Sequence, residues 1–323
     1  MGSLSYSLLE STAHHSPQLQ HIQAQSPRHR RKRFFIVELV LEFTSSNFFT
    51  FIIPNSIFGV FGALAAPVLT QGPRPPITAI FGRLPTVLAF NWINILTFDL
   101  ANQRLPESVQ EDFLNKPWRP IPAGKVTSDQ TRRAMLLCIP IALGINSFLG
   151  LQTQGLCIQV LNWLYNDLKG GDEVIRDLLI SIAYSLSHTC SLKLAVGTET
   201  ELSQKGIIWT AILSGVILTT MQVQDLKDKE GDRTRGRQAV VLLLGDTISR
   251  VSIAFFVCCW SLICAYVWNL NMWAYIIPLV PGLVVARRVL VKRTAKEDHG
   301  TWVWWCLWTV VLYILPLLSL LDM

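Results

Sequence analysis

The chain has 323 residues, half of them apolar and only 15% charged, with a mean hydropathy of +0.37. A soluble globular domain carries about 25% charged residues, so this composition excludes one and leaves a polytopic membrane protein. The net charge of +6 would suggest nucleic acid in a soluble chain, but here its placement along the loops matters more than its sum, and no nucleic-acid partner is expected.

Residues 1–33 are polar and end in "PRHRRKR". They lack the apolar core of a signal peptide and read as a disordered basic cytosolic tail, with a transit peptide as the alternative. From 34 to 323 no hydrophilic stretch is long enough to fold alone, so a single membrane domain is expected. The stretch "RFFIVELVLEF", with Glu38 and Glu42, reads as an interfacial amphipathic helix. A membrane helix needs about 20 mostly apolar residues. By that rule nine spans are expected, near 44–66, 80–101, 132–149, 150–165, 176–196, 205–223, 246–268, 272–292 and 302–321.

Lys and Arg mark the cytosolic side of a membrane protein. With the N-terminal tail inside, the inner loops hold most of them, and the outer loops hold only Arg74, Arg83, Lys193 and Lys205. An integral membrane protein follows, with the endoplasmic reticulum as the default membrane. The seven cysteines sit in apolar runs without CxxC or Cys/His spacing, so free buried thiols are expected rather than disulfides or zinc ligands.

Two acidic clusters fall on the same expected face. In "DLKDKEGD", Asp225, Asp228 and Asp232 are spaced by three and four residues. On a helix continuing from the sixth span they would form one carboxylate stripe. Such a stripe repels itself unless a cation lies on it, and oxygen-only ligands at this density suit Mg²⁺ with phosphate oxygens and water. The competing reading is a solvated helix end neutralised by Lys227, Lys229 and Arg233. The first cluster begins with Asp99 at the end of the second span, a costly position that points to function. Asn102 follows one turn later, then Glu111, Asp112 and Asn115, with Lys116 and Arg119 as the basic members. Two such patches on one face are what Mg²⁺ ions clasping a diphosphate require.

"DLKDKEGDRTRGR" and "NKPWRPIPAG" resemble the second and first signature regions of the UbiA-type intramembrane prenyltransferase superfamily. The second region matches the pattern DxxDxxGD at every acidic position, with Gly231 in place. "YNDLK" at 165–169 is similar to the family's Tyr and Lys pair after the fourth helix. The first region departs from the family's NDxxDxxxD opening: it reads Phe98, Asp99, Asn102, with a longer run before Asp112. That form is similar to a branch of fungal membrane-bound terpene cyclases.

The resemblance implies an all-α fold of about nine transmembrane helices around a central cavity opening to the cytosol. It implies a Mg²⁺-dependent enzyme acting on farnesyl or geranylgeranyl diphosphate, either cyclising it or transferring it to an aromatic acceptor. Asp99, Asn102, Asp112, Asp225, Asp228 and Asp232 are the expected metal ligands, with Asp225, Asp228 and Asp99 central to catalysis. Lys116, Arg119, Lys169, Arg233 and Arg237 are the expected diphosphate ligands.

The carbocation formed by ionisation needs aromatic faces and shelter from water. Trp92, Phe98, Trp163, Tyr165, Tyr184 and Trp209 are candidates, against the bland reading of packing or an interfacial belt. Trp302, Trp304, Trp305 and Trp308 read as such a belt. His188 is either a terminal base or a hydrogen-bonded helix contact. The bilayer is the expected partner, and the sequence assigns no oligomeric state, chain length or product skeleton.

Overall fold

The computed structural model describes residues 32–321, with side chains from Phe35 onward. The expected N-terminal tail lies outside the described residues, apart from Lys32 and Arg33 at the start of the first helix. Among the described residues the fold is helical, and its only β pairing is an isolated bridge between Thr70 and Leu202. The main helices are α1 (Lys32–Asn47), α2 (Ile53–Leu64), α3 (Ile77–Gln103), α4 (Pro106–Asn115), α5 (Ser128–Phe148) and α6 (Gln152–Asn166). They continue as α7 (Arg176–Val196), α8 (Gln204–Thr220), α9 (Lys229–Arg235), α10 (Asp246–Val267), α11 (Ile276–Val291) and α12 (Ala295–Leu321).

Among the described residues six helical stretches are long and apolar enough to cross a bilayer: Phe35–Leu64, Ile77–Gln103, Arg176–Val196, Gln204–Gln224, Asp246–Val267 and Ala295–Leu321. The other three expected spans correspond to α5, α6 and α11. These are helices, but α6 and α11 have only 15 and 16 residues. α5 opens with Asp129, Arg132 and Arg133, which lower its apolar content. The expected interfacial helix is continuous with the first span, joined to it by a π-helical turn at Phe48–Ile52.

Local signals place the ends. Thr127 caps α5 in a reciprocal box with Gln130, satisfying two amides that would otherwise be orphaned. Ser203 accepts from the Gly206 amide at the start of α8. Helices adjacent in sequence mostly pack side by side, from α2 through α3, α5, α6, α7, α8, α10 and α11 to α12, which returns to α2.

α2 also packs closely on α7. A Cβ at Gly59 would lie 2.6 Å from the Ser191 carbonyl oxygen, so only glycine lets these backbones approach so closely. Asn91 ties three helices together by donating to Ser56 and Ser191. At the bundle end away from the acidic clusters, Arg83 donates to the Ala195 and Val196 carbonyls at 3.1 and 2.7 Å, satisfying the last turn of α7.

Candidate active site

The acidic motif does not continue the helix before it. α8 ends at Thr220, a 3₁₀ turn covers Met221–Gln224, and α9 begins only at Lys229. The single carboxylate stripe expected from the spacing therefore does not form. Like charges on one stripe repel, and the break lets each carboxylate find its own cation. Asp225 accepts two hydrogen bonds from Arg176, at 2.7 and 2.8 Å. Asp228 meets Lys227 at 2.5 Å and Lys116 at 3.7 Å. Asp232 turns away from both and pairs with Arg237 at 2.6 Å.

The first cluster is carried by the end of α3, by α4 and by the turn after it. Asp99 is buried, and its Oδ1 accepts from Asn47 of α1 at 2.7 Å. Its Oδ2 is buried with no hydrogen-bond partner. Asn102 donates to Asn166 at 3.1 Å. Asp112 takes both its contacts from Arg119 at 2.9 Å.

α4 and α9 pack face to face, joining the two motifs. Asn115 donates to the Asp228 carbonyl at 3.2 Å, while Arg235 and Arg237 converge on Glu111. Gly231 is what permits this: a Cβ there would lie 2.1 Å from Asn115 Nδ2 and 2.9 Å from Glu111 Cγ.

The charges are unequal in character. Burial acts to raise the pKa of Asp228, but Lys116 and Lys227 overcome it and hold the group at about 2. Burial raises Asp232 to about 6 against the pull of Arg237, with Asp225 adding to the rise. Burial likewise raises Asp225 despite Arg176, and Asp112 despite Arg119. Burial lowers Lys227, although Asp228 opposes it.

A cavity of about 1290 Å³ runs inward from this charged mouth, larger than the roughly 300–1,000 Å³ of ordinary small-molecule sites. Asp99, Asn102, Lys116, Arg119, Asp225, Asp228 and Arg237 line it together with Phe98, Tyr165, Tyr184, Trp302 and Trp305; the Lys227 ammonium lies 4.9 Å over the Trp302 ring. Asp112 and Asp232 do not reach its wall; both are buried against arginines. Lys169 and Arg233 also stand outside it: Lys169 is exposed and pairs with Glu107 at 2.8 Å, and Arg233 is exposed.

The aromatic expectations divide. Trp302 and Trp305 are cavity wall rather than interfacial belt, and Trp308 is buried, donating to Ser261. Trp304 stays exposed. Trp209 packs in the core against Trp268, Trp163 is exposed, and Trp92 donates to Thr44. His188 is buried among Phe58, Tyr184 and Tyr313 with neither nitrogen hydrogen-bonded, so the expected hydrogen-bonded helix contact is absent.

Two residues were missed. Arg176 is a fully engaged cation in the cavity wall, and its signal was available: a charge opening the apolar run "RDLLISIAYSL". Asn47, which orients Asp99, had none, since it comes from 52 residues away.

The chain matches the model of the UbiA prenyltransferase family over residues 54–318 and therefore belongs to that family. A diterpene cyclase, eriG, of Hericium erinaceus is 29% identical over 83% of this chain and 84% of its own length. A polyprenyl transferase of the same organism, eriF, is 28% identical over 88% and 95%. Among solved structures, a UbiA homologue from Archaeoglobus fulgidus bound to GPP and Mg²⁺ superposes with a TM-score of 0.58. It covers 86% of this chain and 99% of that one at 10% identity, which establishes the shared fold.

The donor set fits Mg²⁺. Asp99, Asn102, Asp225 and Asp228 present only oxygen and amide groups to one cavity, and Asp99 Oδ2 is a buried carboxyl oxygen without a hydrogen-bond partner. Among the described residues no three His, Cys, Asp or Glu side chains converge as a cage.

Proposed function

We propose that this protein is a membrane-bound terpene cyclase that ionises a linear C15 or C20 prenyl diphosphate and closes the resulting carbocation to a cyclic terpene. The observation that carries the reading is one cavity lined both by aspartates, lysines and arginines and by five aromatic rings. A prenyl diphosphate has the same polarity, with a charged head on an apolar tail. Cyclisation is favoured over transfer by Asn102 standing where aromatic prenyltransferases of the family carry a carboxylate, and by the similarity to a fungal diterpene cyclase.

In this reading Asp99, Asn102, Asp225 and Asp228 hold Mg²⁺, with Asp112 and Asp232 supporting the metal ligands through Arg119 and Arg237. Mg²⁺, when bound, neutralises charge on the departing diphosphate. Lys116, Arg119 and Arg237 reach the same cavity and bind the diphosphate oxygens as the allylic C–O bond breaks and its electron pair leaves with oxygen. Phe98, Tyr165, Tyr184, Trp302 and Trp305 fold the chain and face the cation, a distal double bond attacks it, and proton loss or water capture ends the sequence. Lys169 and Arg233, on the outer rim, attract the anionic head before it enters. The endoplasmic reticulum membrane, with the mouth towards the cytosol, is the proposed location, supported by the Lys and Arg excess on that face.

The second reading, transfer of the prenyl group to an aromatic acceptor, is favoured by the similarity to the polyprenyl transferase. Membranes containing the protein are incubated with Mg²⁺ and C10, C15 or C20 prenyl diphosphate without acceptor, and extracts are analysed by gas chromatography with mass detection. A cyclic hydrocarbon or alcohol absent from EDTA-treated controls supports the cyclase. No cyclic product, followed by a prenylated compound once aromatic acceptors are added, moves the assignment to transfer.

A further inference from the structure

Arg176 makes four side-chain hydrogen bonds, to Asp225, Asp177 and Tyr165. Its Nη1 donates to Asp225 Oδ2 at 2.7 Å and to Asp177 Oδ1 at 3.0 Å, its Nη2 to Asp225 Oδ1 at 2.8 Å, and its Nε to the Tyr165 hydroxyl at 3.3 Å. Arg176, Asp177 and Asp225 are all buried. Both oxygens of Asp225 accept from one guanidinium, so a metal ion approaching Asp225 meets the Arg176 charge on the same carboxylate and weakens those bonds. If the bond to Oδ1 is the one displaced, Nη2 loses its partner, while Nη1 keeps Asp177. A buried donor left unpaired is costly, and Arg176 lines the same cavity as Asp228 and Lys116, so an oxygen of the incoming diphosphate is placed to accept from it.

From this geometry we infer that Arg176 is a positioning residue that competes with the metal for Asp225 and releases it when a diphosphate oxygen takes Asp225's place. The inference rests on the diphosphate-handling reading above. Its consequence is that the site holds metal weakly in the absence of substrate. The protein is then protected from a stranded, metal-loaded mouth exposed to water. Asp177 sets the strength of the lock: it shares Nη1, so it loosens the grip on Asp225.

The test is metal affinity, not turnover. Full-length protein in detergent is titrated with Mn²⁺, the free ion being counted by electron paramagnetic resonance, alone and with inorganic diphosphate. Arg176→Gln is expected to bind Mn²⁺ alone more tightly than wild type, by on the order of tenfold to a hundredfold, the equivalent of one charge-assisted hydrogen bond. It is expected to bind diphosphate less tightly. Arg176→Lys, with one ammonium for two oxygens, shifts the same way by less, and serves if the glutamine variant does not fold. Asp177→Ala shifts the opposite way, since Nη1 then has only Asp225 to donate to.

Unchanged or weaker Mn²⁺ binding by folded Arg176 variants overturns the inference and leaves the function standing. Failure of the wild type to bind Mn²⁺ even with diphosphate present overturns the function itself, and this inference with it.

Discussion

Gly231→Ala tests whether the two motifs act as one site. An alanine at this helical position gains about 0.8–1 kcal/mol of helix propensity over glycine. Against that, its Cβ would sit 2.1 Å from Asn115 Nδ2 and 2.7 Å from Asn115 Cγ, so Asn115 must swing away. The swing breaks its hydrogen bond to the Asp228 carbonyl, a loss of about 1 kcal/mol. Glu111 Cγ, at 2.9 Å, adds an overpacking cost of about 1–3 kcal/mol.

The net destabilisation is about 1–3 kcal/mol on these figures, concentrated at the contact between α4 and α9. Stability measured by thermal unfolding in detergent should fall modestly. Turnover should fall more, by up to ~10²-fold, because a ~1 Å displacement of Asp228 disturbs the reacting geometry. The double variant Asn115→Ala, Gly231→Ala removes the clash with Asn115 while that with Glu111 remains, and should recover part of the stability that Gly231→Ala loses, a non-additivity characteristic of residues in contact. Wild-type turnover in Gly231→Ala, or strict additivity in the double variant, would refute the packing argument.

Asp225→Ala and Asp228→Ala are expected to abolish prenyl diphosphate turnover while membrane insertion, followed by fractionation, is retained; full activity in both would remove the metal clamp. Asp232 has a pKa raised to about 6, chiefly by burial, above the ordinary carboxylate value of 3.8. The folded state thus holds its proton more tightly than the unfolded one, and this contribution to stability is complete below pH 3.8 and lost as pH rises through about 6. Unfolding midpoints should accordingly show a downward component between those values that Asp232→Asn lacks, and identical pH profiles would count against it. Tyr184→Phe removes the hydroxyl that donates to the Thr50 carbonyl at 3.0 Å. We expect a shift in the product spectrum, read by gas chromatography, with little loss of substrate consumption, whereas an unchanged spectrum would show that this part of the wall does not steer the cation.

The amino-acid sequence alone determined the solvent, the helical class and the family, because each rests on composition or on short-range spacing. Twenty apolar residues announce a span, and DxxDxxGD keeps its meaning wherever the chain takes it. Spans five, six and seven begin and end within a residue or two of the expected bounds, since charged or capping residues flank them. The three other expected spans are the helices α5, α6 and α11, which are shorter or open with charges and so fall below the length and apolar content of the six.

What only the tertiary structure decided was partnership. Spacing put Asp225, Asp228 and Asp232 on one stripe, but mutual repulsion and the availability of Arg176 and Lys116 from elsewhere in the chain, and of Lys227 and Arg237 from the motif itself, split them among separate cations. Spacing likewise made a belt of the C-terminal tryptophans, whereas packing of α12 beside the 3₁₀ turn at Met221–Gln224, with Trp305 donating to Thr220 and Lys227 over the Trp302 ring, turned Trp302 and Trp305 into the cavity wall. A one-dimensional pattern records which groups carry charge or aromatic surface; which of them meet depends on helices far apart in sequence competing for the same buried space.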